Sequence, residues 1–187
     1  EFFPSFSAYT SEEADADTFT QELRLVSTSD GPWSWIVGGF YNDFDNDTLS
    51  QEFAPGFDQF AVDNFGGVQL RPDALEFYQT FKESQKETAA FGELGYQITD
   101  AWQVTVGMRW FEYEYDAANG LALPLYDTVF FGAPPDSINI SGDSGKTKAD
   151  DTIFKFNTSY DFSDDIMSYL TISEGYRLGA SNAITLC

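Results

Sequence analysis

Thr88–Tyr115 reads TAAFGELGYQITDAWQVTVGMRWFEYEY. In its second half Val104, Val106, Met108 and Trp110 fall on one side of an extended chain, with Gln103, Thr105, Gly107 and Arg109 on the other. Side chains of a strand alternate between faces, so this period of two marks a strand with one apolar and one polar surface. Thr88–Gln97 supplies the descending partner, and the polar turn Thr99–Ala101 (TDA) joins the two into a hairpin. Past Trp110 the apolar parity is taken over by Glu112 and Glu114. Carboxylates on a lipid-facing surface are costly, so the apolar band is expected to stop near Trp110 and the strand to project into water above it.

The same plan recurs on both sides. Thr18–Val26 (TFTQELRLV) places Phe19, Gln21, Leu23 and Leu25 opposite Thr18, Thr20, Glu22 and Arg24. The turn Ser27–Pro32 (STSDGP) leads into Trp33–Asn42 (WSWIVGGFYN), whose odd positions Trp33, Trp35, Val37, Gly39 and Tyr41 resemble an apolar face with aromatics at both ends. Ile36 and Phe40 lie on the other side, leaving the facing of this strand open. Gly38-Gly39 marks a bend or a close approach. The third hairpin is Ile153–Phe162, the turn Ser163–Asp165 (SDD) and Ile166–Arg177. Phe154, Phe156 and Tyr160 oppose Lys155, Asn157, Ser159 and Asp161; Ile166, Leu170 and Ile172 oppose Tyr169, Thr171 and Ser173. Between the hairpins lie two long polar connections, Asp43–Glu83 and Asp116–Asp151, read as loops. Short turns at one end and long loops at the other describe antiparallel up-and-down strands of a transmembrane β-barrel, an all-β fold.

Composition narrows the function. The formal charge is −22, from 9 Lys+Arg against 31 Asp+Glu, which repels nucleic-acid phosphates. Aromatic residues make up 18% of the chain, too many for an acidic disordered segment. There is no histidine, and Cys187 is the sole cysteine. Histidine-dependent nucleophilic catalysis and histidine-ligated zinc are therefore excluded within this chain, and neither a catalytic centre, a cofactor nor a metal is expected. Glu1–Thr10 contains no basic leader or cleavage site, so the chain reads as a mature segment or a fragment, the latter preferred.

These hairpins resemble the barrel of TonB-dependent outer-membrane receptors. The likeness rests on FTQELRLVS (Phe19–Ser27), WIVGGFY (Trp35–Tyr41), AAFGELGYQITDAWQVTVGMRW (Ala89–Trp110) and KFNTSYDFSDDIMSYLTISEGYRLGASN (Lys155–Asn182). It implies a barrel of about 22 strands around a plug, of which residues 1–187 supply about six strands of wall, with the plug domain and remaining strands absent. It further implies a bacterial outer-membrane uptake receptor for iron–siderophore complexes or another scarce nutrient. Its partners would be lipid and lipopolysaccharide, the plug, the inner-membrane TonB coupling complex and a small nutrient ligand, with no nucleic acid. A soluble acidic all-β binding domain, with its leucines buried against a second sheet, is the competing reading.

Several side chains are candidates for function. Glu22, Arg24, Glu93, Arg109 and Lys155 belong to the polar face by parity, where they meet the plug, guide a polar substrate, or simply pair across neighbouring strands. Tyr126, Phe130 and Phe131 lie in the second long connection, placed either to contact ligand at the extracellular mouth or to pack the loop. Asp43, Asp45 and Asp47 resemble the opening of a calcium loop, but Thr48 and Ala54 stand where that loop needs glycine and a carboxylate. Glu112 and Glu114 among aromatics resemble a carbohydrate-cleaving pair, yet same-face spacing on a strand accounts for them without catalysis.

Overall fold

The computed structural model describes residues 5–28, 30–177 and 179. Six strands form one sheet in chain order: β1 (Tyr9–Val26), β2 (Trp33–Phe53), β3 (Leu75–Thr99), β4 (Trp102–Ala122), β5 (Ser141–Ser163) and β6 (Ile166–Ser173). Every neighbouring pair is antiparallel. The three turns lie at one end of the sheet and the longer connections at the other, as the hairpin reading requires. The sheet is not closed: β1 and β6 are its two edges.

The long connections are shorter than their sequence implied. The polar stretches Asp43–Glu83 and Asp116–Asp151 are largely strand: β2 runs to Phe53, β3 begins at Leu75, β4 runs to Ala122 and β5 begins at Ser141. In Asp43–Phe53 and Ser141–Asp150 polar residues lie on both faces and mask the period of two, whereas in β3 Leu75, Phe77 and Phe81 do alternate with Glu76, Thr80 and Lys82. Backbone pairing continues regardless, with Asp47 opposite Lys82 and Asp116 opposite Lys146. What remains of each connection folds into a short helix, α1 (Phe57–Phe65) and α2 (Pro124–Phe131). Pro124 opens α2, where its missing N–H costs nothing. Gly66 and Gly132 end the helices in left-handed conformations, with φ of 75° and 68°.

The last strand is also shorter than expected, ending at Ser173 rather than Arg177. The Glu174 carboxylate accepts the Phe154 N–H at 2.9 Å, taking the place of a ladder carbonyl. The chain then crosses the polar face, where Tyr176 stacks on Phe111 at 4.0 Å. Ala180–Asn182 and Cys187 lie outside the described residues.

Candidate functional site

The register assigns every strand position to one of two faces. Leu25 pairs with Val37, Trp35 with Leu94, Leu94 with Val106, and Val106 with Phe156, so the apolar parities of five strands join into one surface. The open question of β2 is resolved: Trp33, Trp35, Val37 and Tyr41 belong to this apolar surface, and Ile36 and Phe40 to the opposite one. Two aromatic rows bound it. Trp33, Tyr96, Trp102 and Tyr160 sit near the turns, with Phe19, Tyr41 and Trp110 farther up. Residues 33–41 and 102–110 each span nine positions between the rows, the length a strand needs to cross hydrocarbon.

This surface is uncovered. Leu23 is 70% exposed and Val106 is 51% exposed, and a single sheet is formed among the described residues. The competing soluble reading required these side chains to be buried against a second sheet, and they are not. Left in water, such a surface costs about 25 cal/mol for each Å² that hydrocarbon would otherwise cover. Above Trp110 the same parity carries charge. Lys148 binds Glu112 at 3.1 Å and Glu114 at 2.9 Å, and Lys146 binds Glu114 at 3.7 Å and Asp116 at 2.9 Å. The Lys148 hydrogen bond, then its charge, hold the Glu114 carboxyl below the usual range. Glu112 and Glu114 are thus both engaged by Lys148 as neighbours on one face of β4, the same-face spacing that accounts for them without catalysis. Asp43, Asp45 and Asp47 lie on β2 rather than in a calcium loop, with Lys86 3.6 Å from Asp43 and Lys82 2.8 Å from Asp47.

The opposite face gathers all five sequence-identified charges, Glu22, Arg24, Glu93, Arg109 and Lys155, around one cavity of about 290 Å³. Glu22 and Arg24 pair with each other. Lys155 reaches from β5 across β4 to Glu93 on β3 at 2.9 Å. That reach depends on Gly107, which stands between them in the register; a Cβ there would meet Glu93 Cγ at 3.0 Å. Arg109 donates to Glu87 Oε1 at 2.7 Å and lies over the Phe40 ring at 5.2 Å. Phe91 sits between Arg24 and Arg109, 5.8 and 5.9 Å from their guanidinium carbons. The Phe91 ring occupies the space a Gly38 side chain would need, so Gly38 marks a close approach rather than a bend.

The two connections are joined by a residue that sequence reading missed. Arg71 is 1% exposed and binds Asp73 through Nε at 2.8 Å and Nη2 at 3.1 Å. Its Nη1 donates to Pro124 O at 3.3 Å, Thr128 Oγ1 at 3.2 Å and Ser137 O at 2.8 Å, tying the first connection to the second. Beside it Ala61, Leu125 and Val129 form a small core between the helices. Of the three predicted mouth aromatics, Phe130 packs against this core, whereas Tyr126 and Phe131 project from it. The Tyr126 ring lies 5.2 Å from Phe130 and 5.3 Å from Phe131, so the three form one cluster.

A sheet with one lipid-ready face, one charged face and short turns at a single end is a segment of an outer-membrane type β-barrel. The chain matches the family described as "TonB dependent receptor-like, beta-barrel" over residues 2–186 and belongs to that family. Its fold is similar to that of the ferric yersiniabactin uptake receptor FyuA from Yersinia pestis, with a TM-score of 0.66 at 18% identity. The likeness covers 89% of this chain and 22% of that one, so the chain spans about a fifth of the receptor it resembles. No curated protein matches the chain.

Proposed function

We propose that this chain is part of the wall and mouth of a bacterial outer-membrane, TonB-dependent uptake receptor for a scarce small nutrient, an iron–siderophore complex being the leading candidate. The observation that carries the proposal is the division of the sheet: an exposed apolar face framed by two aromatic rows, backed by a face of paired charges. The first surface meets lipid and, higher up, lipopolysaccharide. The second meets the plug, which with the remaining strands lies elsewhere in the same receptor. Ligand first touches the mouth around Tyr126, Phe130 and Phe131, while the wall stays passive. The path opens when the plug moves, driven through the inner-membrane TonB complex. The role is transport, not catalysis, and no resident cofactor or metal is needed for it.

The test is uptake of radiolabelled ferric chelates by iron-starved cells that express the receptor carrying this chain, with and without an energised inner membrane. Accumulation that requires both receptor and energy supports the proposal. Equal accumulation after deletion of the receptor, across chelates and other small nutrients, overturns it.

A further inference from the structure

Above the upper aromatic row the outward face carries its charges in columns of alternating sign. Asp43, Asp45 and Asp47 stand on β2, Lys82 and Lys86 on β3, Glu112, Glu114 and Asp116 on β4, and Lys146 and Lys148 on β5. The register sets Asp43 opposite Lys86, Asp47 opposite Lys82, Lys86 opposite Glu114, Glu114 opposite Lys148 and Asp116 opposite Lys146. Opposite charges facing each other across a ladder stabilise it, and like charges do the reverse. Each of these lysines binds a carboxylate on a neighbouring strand.

β1 breaks the alternation. Its outward column at the same height is Glu13, Asp15 and Asp17, just above Phe19, and the register sets Asp15 opposite Asp47 and Asp17 opposite Asp45. Like charges therefore face each other at consecutive outward positions between β1 and β2. Lys82 answers Asp47 from the far side, but among the described residues Glu13, Asp15, Asp17 and Asp45 form no ion pair. Glu112 also faces a carboxylate, that of Asp150, and there Lys148 binds Glu112 at 3.1 Å.

The same strand is an edge. β1 bonds to β2 along Tyr9–Val26, and its other side is an unpaired ladder of backbone groups. On the receptor reading a further strand must lie along it, since an open ladder in hydrocarbon has no water to satisfy it. The acidic column of β2 is answered from β3 and that of β4 from β5, whereas β1 has only its open side to draw on. We propose that the strand completing this edge in the intact receptor is basic where it passes Glu13–Asp17, with Lys or Arg on its outward positions, and apolar on that parity where it passes Leu23 and Leu25.

This rests on the receptor reading above and deepens it by giving the neighbouring strand a chemistry. The partner is a strand rather than a bound divalent ion, because lysines on a neighbouring strand answer the other acidic columns and the open ladder needs a strand in any case.

The experiment is urea unfolding of the full-length receptor in lipid vesicles, with and without EDTA. Asp45→Asn removes the charge facing Asp17, so adding Asp17→Asn to it reads the open side of β1. The second substitution should lower the midpoint by about 0.3 M, as it strips a carboxylate from a basic neighbour. An unchanged or raised midpoint overturns the proposal, as does a loss that disappears in EDTA, which would assign the column to a divalent ion. Amide exchange on the folded receptor keeps the two readings apart. Slow exchange at the β1 amides that β2 leaves unbonded, together with an unchanged midpoint, overturns the charge inference and leaves the receptor reading standing. Fast exchange there, level with Leu23 and Leu25, means that no strand lies alongside and overturns both.

Discussion

Arg71 Nη1 lies 2.8 Å from the carbonyl oxygen of Ser137, sixty-six positions along the chain, and this contact makes two separate connections into one body. The guanidinium also donates to Asp73, Thr128 and Pro124, and at 1% exposure the side chain is closed off from solvent. Replacing it with methionine strands Asp73 and three oxygens around a side chain that offers them no donor. Asp73 is half exposed and can turn to water, so the loss falls mainly on the oxygens of Pro124, Thr128 and Ser137 and should be about 1–3 kcal/mol. Arg71→Met should therefore open residues 123–140 to limited proteolysis while the barrel below keeps its heat-modifiable migration on gels. Equal protease resistance in variant and parent would remove Arg71 from this role.

Gly107 is the clearance through which Lys155 reaches Glu93. Gly107→Ala asks Glu93 to give by a few tenths of an ångström and should be mild. Gly107→Leu fills the gap between the partners and should cost about 1–3 kcal/mol. Urea unfolding of the receptor in lipid vesicles measures both, and identical midpoints for Leu and Ala would refute the clearance.

Height along a strand should decide what an arginine costs on the outward face. Val106→Arg lies midway between the aromatic rows and should destabilise the receptor in vesicles by about 2–4 kcal/mol. An arginine at Ala118, on the same parity well above Trp110, should cost less than about 1 kcal/mol. Similar costs at both positions would place the hydrocarbon elsewhere.

The Glu112–Lys148–Glu114–Lys146–Asp116 chain has a defined pH window. Glu114 titrates below its usual range because Lys148 holds it, so its contribution is present above the ordinary glutamate pKa and fades as pH falls through the depressed value. Lys148 and Lys146 are raised, by hydrogen bonds first from Glu114 and Asp116 respectively, so their share is complete below the ordinary lysine pKa and is lost as pH climbs through the raised value. Glu114→Gln should thus lower the melting temperature slightly at about pH 7, and the difference should shrink steadily as pH falls below the ordinary glutamate range. A difference that persists in acid would assign the effect to packing.

Ligand affinity and wall integrity should separate by mutation. Alanine at Tyr126 and Phe131 should weaken ligand binding with little loss of stability, since both project from the helix core. Arg109→Ala instead leaves Glu87, buried beside Phe111 and Ala89, without its cation, and should lower stability or unseat the plug. Unchanged affinity after the loop substitutions, with loss after Arg109→Ala, would reverse the assignment.

What could be read from the sequence was whatever water and oil treat differently. Val104 to Trp110 alternate against Gln103 to Arg109, so the two-faced segments, their turns and the sharing of one face by five charges were legible. Asp43 to Phe53 and Ser141 to Asp150 are wetted on both faces, so their strand character left no trace in hydropathy and survives through neighbour pairing instead. Arg71 was hidden for another reason: its partners at Pro124, Thr128 and Ser137 are distant in sequence, and two of them are backbone oxygens that any residue carries. The one local hint is Arg71-Pro72-Asp73, a cation and an anion two positions apart across a proline.

The upper strands also fix a height. From Trp110 to the end of β4 at Ala122 the chain climbs twelve residues, about 40 Å of strand at 3.4 Å each, or roughly 30 Å vertically at the tilt usual for barrels. Electrostatic influence in physiological salt decays over about 8 Å. In the proposed receptor α1 and α2 therefore stand several screening lengths above the upper aromatic row that marks the hydrocarbon boundary. On that reading the two helices crown a turret held clear of the hydrocarbon.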